Sequence, residues 1–209
     1  MPSSIISCVN AAYADYVSYS QFSTDGDCYV YGNVMSLVNA TAFPVVKTIT
    51  APHAFEHLFY NCGRIYSYES NKIVLPATTL ANGCYMEMFG KCNHLTTAPE
   101  LPATTLAGSC YMLMFQDCSS LTTAPELPAT TLAGQCYMQM FCGCSNLSYV
   151  KCLVTDIPDN DCTLGWLSDV SDTGTFIINK SLDPNNPTPW TRDVHGIPSG
   201  WTVQCASEE

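Results

Sequence analysis

The alternation of apolar and polar positions along this chain returns every 26 residues. Residues 75–100 read LPATTLANGCYMEMFGKCNHLTTAPE, residues 101–126 read LPATTLAGSCYMLMFQDCSSLTTAPE, and residues 127–152 read LPATTLAGQCYMQMFCGCSNLSYVKC. The first two copies differ at seven positions. Leu80, Cys84, Tyr85, Met86, Met88, Phe89, Cys92 and Leu95 recur in all three, and their mainly apolar character predicts a continuous stacked core. Asn82, Gly83, Glu87, Gly90, Lys91, Asn93 and His94 vary, so they and their equivalents are expected to face solvent.

Cys84 with Met88 and Tyr85 with Phe89 are i, i+4 pairs, which predicts a short helix or 3₁₀ turn over residues 81–89. Leu95-Thr96-Thr97-Ala98 is a strand-forming run, and Pro99, lacking an N–H donor, ends its pairing. Each coil then holds one short strand and one short helix. A degenerate copy precedes the array, since Phe59, Cys62 and Ile65 align with Phe89, Cys92 and Leu95. Another follows, with Leu153, Cys162 and Trp166 one period after Leu127, Cys136 and Met140. Five coils over residues 53–170, at about 4.8 Å each, form a stack about 25 Å long.

A stack of this kind exposes its core at both ends, so residues 1–52 and 171–209 are expected to be β-rich caps. Residues 1–52 are rich in Tyr, Val and Ser, with turn signals at Asp25-Gly26-Asp27 and Gly32-Asn33. Thr175-Phe176-Ile177-Ile178-Asn179 is a further strand candidate. Trp190 and Trp201 are expected to fold back on the last coil, and after Cys152 the chain holds nine carboxylates against Lys180 and Arg192.

The run Met-Phe-x-x-Cys-x-x-Leu-Thr-x-x-Pro with Leu-Pro-x-Thr-Thr-Leu resembles the leucine-rich repeats of the BspA-like surface protein family, in the longer-period form found among gut bacteria and their phages. The resemblance is strong over residues 53–152 and looser outside them. It implies an α/β repeat fold, a right-handed curved leucine-rich repeat solenoid used for attachment to proteins or cells. It implies no catalytic residues and no cofactor.

Composition narrows the function. Eighteen acidic against seven basic residues give a net charge of −11, with 47% hydrophobic and 12% charged residues. That balance argues against disorder. It supplies no basic field for nucleic acid or for an anionic membrane surface, and no apolar run is long enough for membrane insertion. Residues 1–9 lack the basic start of a secretory signal. Ile5-Ile6-Ser7-Cys8 looks like a lipobox, but it lies too close to Met1 to follow a working signal.

Several motifs compete with plainer readings. His53-Ala54-Phe55-Glu56-His57 fits the H-x-x-E-H zinc pattern, yet repeat register places Phe55, Leu58 and Phe59 on core positions without any metal, and no third ligand is visible. The cysteines at 84/92, 110/118 and 136/144 lack zinc-site spacing and read as a ladder of small hydrophobes. Cys142-Gly143-Cys144 with Cys152 is the local candidate for a disulfide. The Met-x-Met-Phe stripes read as core filler rather than a copper surface. Asp156, Asp159 and Asp161 cluster without EF-hand spacing and read as a solvated turn. Asn39, Asn146 and Asn179 head formal glycosylation sequons.

The expected function is therefore a non-enzymatic module that binds a protein or a cell-surface glycan. Its expected strand-side contacts are Thr96, Thr97, Thr122, Thr123, Ser148 and Tyr149, and its helix-side contacts are Glu87, Leu113, Gln139 and His94. The place expected of it is the cell surface, the extracellular space or a phage virion. The alternative is a structural phage tail or fibre component, or a spacer with no ligand of its own.

Overall fold

In a computed structural model, which describes residues 22, 27–38, 42, 45–66 and 72–207, successive copies of the repeat lie on one another. The decisive element is the segment expected to be helical. Over residues 82–91 the chain forms a run of turns rather than a helix, and the 3₁₀ helices among the described residues are Val34–Leu37 and Asn160–Thr163. Cys84, Met86, Met88, Gly90 and Cys92 each donate their backbone N–H to the carbonyl three residues earlier. The residues between them donate elsewhere. Gly83, Tyr85, Glu87, Phe89 and Lys91 bond to the carbonyls of Gly108, Cys110, Met112, Met114 and Gln116 in the next coil, at 2.7–3.0 Å.

The helical expectation fails because every fourth residue is left-handed. Gly83, Glu87 and Lys91 have φ of +59°, +51° and +63°, and the same columns continue through Ser109, Leu113 and Asp117 and then Gln135, Gln139 and Gly143. A positive φ at this spacing interrupts the helical path, so half of the N–H groups leave the coil and join it to its neighbour. The four-residue turn reproduces the i, i+4 spacing of buried pairs that the sequence displays.

The strand parts of the coil pair in parallel. β1 (Cys28–Tyr29) pairs with β3 (Ile65–Tyr66), and β2 (Gly32–Asn33) with β4 (Ile73–Val74). β5 (Tyr149–Lys151), β6 (Gly174–Ile178) and β7 (Trp201–Cys205) form a three-stranded parallel sheet in that order. Single bridges extend these ladders through the array, from Thr48 to Thr79 to Thr105 and from Thr123 to Tyr149. The parallel ladder thus runs past residue 170 to Cys205, so the segment expected as a carboxyl-terminal cap continues the stack before closing it. Of the expected cap at residues 1–52, the described part likewise adds parallel pairs; the remainder lies outside the described residues.

Two aromatic columns fill the core. Phe22, Phe59, Phe89, Phe115 and Phe141 follow one another at ring separations of 5.3–5.8 Å. Phe55, Tyr85, Tyr111, Tyr137, Trp166 and Trp190 form the second, at 5.3–6.1 Å. The backbone of Trp166 keeps the register of Met140, since Phe141 N bonds Trp166 O as Phe115 N bonds Met140 O. Its ring nevertheless stacks on Tyr137 on one side and on Trp190 on the other. Trp166 and Trp201 donate their indole N–H groups to Gly196 O and Ser171 O, both at 2.8 Å. At Gly174 a side chain does not fit, because a Cβ would lie 2.6 Å from Ser148 O and 2.7 Å from the Trp201 ring.

Phe115 stacks on both neighbours and is fully buried. Phe115→Ala should therefore lower unfolding free energy by about 3–5 kcal/mol in urea denaturation, the range for emptying a core aromatic site. A loss under about 1 kcal/mol would contradict the stacked column.

Candidate functional site

The residues expected to bind fall into two separate columns. Thr96, Thr97, Thr122, Thr123, Ser148 and Tyr149 are all exposed, and Thr123 and Tyr149 lie on the strand ladder, with Ser148 N–H donating to Thr122 O beside them. Tyr149 bridges Thr123 on one side and pairs with Thr175 on the other, and Thr175 pairs with Thr202, which lengthens this row by two. At its other end, exposed Tyr29 lies against Tyr66, with ring centroids 6.2 Å apart.

Glu87, Leu113 and Gln139 form a second column, on the turn ribbon, and all three are half-buried and left-handed. His94 belongs to neither this column nor the ribbon, which corrects its expected place. Its ring packs on Tyr66 at 4.8 Å and its Nδ1 meets Gly63 O, at the edge of the strand side. Met86, Met112 and Met138, expected in the core, are half-buried on the ribbon.

A third row was not anticipated. Thr48, Thr79 and Thr105 are bridged in sequence, and Thr131 bridges Asp156. Beside them Thr78 Oγ1 donates to Lys47 O and Thr155 Oγ1 to Thr130 O, each at 3.4 Å. The Thr-Thr pair of Leu-Pro-Ala-Thr-Thr-Leu, the same in all three close copies, is the sequence signal for this row.

His53, Glu56 and His57 do come together, around a carboxylate rather than an open metal position. Glu56 is 6% exposed, and His53 Nδ1 lies 2.9 Å from its Oε2 while His57 Nδ1 lies 3.9 Å from its Oε1. His57 Nε2 turns to Glu87 Oε2 at 3.2 Å, tying this coil to the next. Among the described residues no group of three or more His, Cys, Asp or Glu side chains is arranged to hold a metal ion. Asp159 accepts the backbone N–H of Asp161 at 3.0 Å and caps the 3₁₀ helix, whereas Asp156 sits apart in the threonine row.

Eleven cysteines, from Cys62 to Cys205, are free thiols, and they include Cys142, Cys144 and Cys152, the expected local candidate for a disulfide. Cys62, Cys92, Cys118 and Cys144 form a column in which each thiol donates to the carbonyl of a phenylalanine one coil back: Phe22, Phe59, Phe89 and Phe115, at 2.8–3.1 Å. A small, apolar residue that can still donate weakly fits this position better than alanine or valine. Asn146 and Asn179 spend their amides on Ser119 O and Leu153 O, and the sequon at Asn39 and the lipobox-like Cys8 lie outside the described residues.

No protein family, curated protein or solved structure matches this chain. Among the described residues no helix is long and apolar enough to cross a membrane.

Burial pushes the thiols of Cys84, Cys136, Cys144 and Cys152 up to about 12 from 9.0. Between those values the folded state keeps protons that the unfolded chain releases, so stability falls as pH rises above 9. Each such thiol should contribute a slope of about 1.4 kcal/mol per pH unit. Urea melts from pH 8 to 10.5 check this, and a flat profile would refute it. Leu113, a bulky residue at φ +57°, offers a second check. Leu113→Asn should raise stability by about 0.5–1 kcal/mol, because asparagine enters the left-handed region readily.

Proposed function

We propose that this chain is a non-enzymatic leucine-rich repeat module that attaches to a protein or cell surface. One observation carries the reading. Among the described residues eleven non-glycine residues, all on the turn ribbon, are held at positive φ. Each costs about 1 kcal/mol more there than glycine would. The ribbon accepts glycine without difficulty, as Gly83, Gly143 and Gly165 occupy the same columns. Side chains that bear this cost and differ between copies otherwise almost identical are those expected of a contact surface, although Glu87 also pairs with His57.

The constant strand row complements this variable ribbon. Its threonines present repeated hydroxyls, and Tyr149, 37% exposed, adds an aromatic contact at the end of the array. On the ribbon, half-buried Leu113 stands between acidic Glu87 and polar Gln139, which suits a protein contact. The resemblance to BspA-like surface repeats favours the same use, at a cell surface or on a virion.

Labelled protein incubated with gut bacterial strains and with immobilised matrix proteins tests the proposal. Binding to at least one target is expected, weakened at least tenfold by Leu113→Asp, Tyr149→Ala or both, and the single variants assign the face. A correctly folded protein that binds nothing in the panel would return the chain to the structural reading of a fibre or display component.

A further inference from the structure

Where each coil enters the turn ribbon, the structure forms a groove of about 380 Å³. Five successive coils contribute to it: His53, Asn82, Ser109 and Gln135 from the first four, then Asp159 and Asp161 from the fifth. None of these residues belongs to the strand row or to the column through Leu113. The floor is peptide backbone, because Gly83, Gly108 and Gly134 lie between them.

We infer that this groove is a subsite for a neutral, linear oligosaccharide lying along the stack. The inference rests on the reading of the chain as a binding module and names a ligand class and a place for it. Three features of the lining select the ligand. First, every lining side chain is polar, so an apolar peptide face or a lipid would gain nothing by burial there. Second, donors and acceptors are mixed along the row. Asn82 Oδ1 accepts the Gly108 N–H at 3.1 Å, which leaves its NH₂ for a ligand, and Ser109 Oγ stands 3.5 Å from Gln135 Oε1. At the far end the Asp159 and Asp161 carboxylates accept. A polyol, whose hydroxyls both donate and accept, can satisfy such a row, whereas an anion would meet two carboxylates.

Third, the rungs repeat once per coil, at about the 4.8 Å spacing of paired strands. Linked sugar rings advance by a comparable step, so a linear chain can place equivalent hydroxyls over successive rungs. The left-handed strain points the same way. Ser109 and Gln135, at φ +54° and +57°, occupy the column that Gly83 fills at +59°. Two polar side chains are thus held in the groove where glycine would be easier.

Gly134 supplies a clean block, since a Cβ there meets nothing within 4 Å and the groove stands open above it. Cellohexaose, maltohexaose, chitohexaose and xylohexaose would be titrated against the full chain, with binding read by saturation-transfer NMR and calorimetry. At least one is expected to bind, with affinity reduced at least tenfold by Gly134→Trp and at least threefold by Gln135→Ala, while Val194→Ala, at an exposed position outside the groove, leaves it unchanged. Thermal melts confirm that each variant is folded, and Gln135→Ala, which only shortens an exposed side chain, decides the matter if Gly134→Trp does not fold. Absence of binding by all four sugars, or binding indifferent to the groove variants, overturns the inference. Cell or protein binding that persists without sugar binding would sink the groove assignment alone and leave the binding-module reading in place.

Discussion

Everything in this structure depends on where alternate N–H groups of the turn ribbon point. In a helix they would all be consumed within the segment, and one coil would have only side-chain packing to hold it to the next. Here half of them cross to the following coil, always in the same sense, from residue i to the carbonyl of residue i+25 in the close copies. A strip of chain without regular helix or strand thereby acquires a coil-to-coil ladder as regular as that of a parallel sheet. The strand ladders on the rest of the coil are then only one or two residues long before β5, β6 and β7, where they lengthen to three and five.

That arrangement carries a steric price at every fourth residue, which must be left-handed. It also fixes how the side chains are used. The pairs between left-handed positions turn inward and become the columns of cysteine, tyrosine, methionine and phenylalanine. The left-handed residues themselves are free of the core, so they can vary without disturbing it. The same geometry that builds the stack therefore creates a surface whose chemistry can change from coil to coil, which is what a binding module requires.

The cysteine column closes the second half of the hydrogen-bond account. Each Phe59, Phe89 and Phe115 carbonyl accepts a backbone N–H from its own coil and a thiol from the next. The thiols are consumed in packing and weak bonding, and burial pushes those of Cys118 and Cys144 up. At the carboxyl end the tyrosine column gives way to tryptophans. Trp166, Trp190 and Trp201 cover the last coil with more area than the repeat residues they replace, and two of them anchor their N–H groups on backbone carbonyls.

The period, the identity of the buried columns and the separation of constant from variable positions were legible in the residues, because repetition forces equivalent side chains into equivalent surroundings. The turn ribbon was not. Buried pairs at i, i+4 arise equally from a helix and from four-residue turns, and a left-handed Glu87, Leu113 or Gln139 bears no mark of its conformation. Gly83, Gly143 and Gly165, each in a column shared with bulkier residues, were the faint signal. The place of His94, the continuation of the parallel ladder into residues 174–205 and the groove from His53 to Asp161 were likewise decided in three dimensions. Each depends on which residues of different coils come side by side, and that is fixed by the direction of the inter-coil hydrogen bonds rather than by any local pattern along the chain.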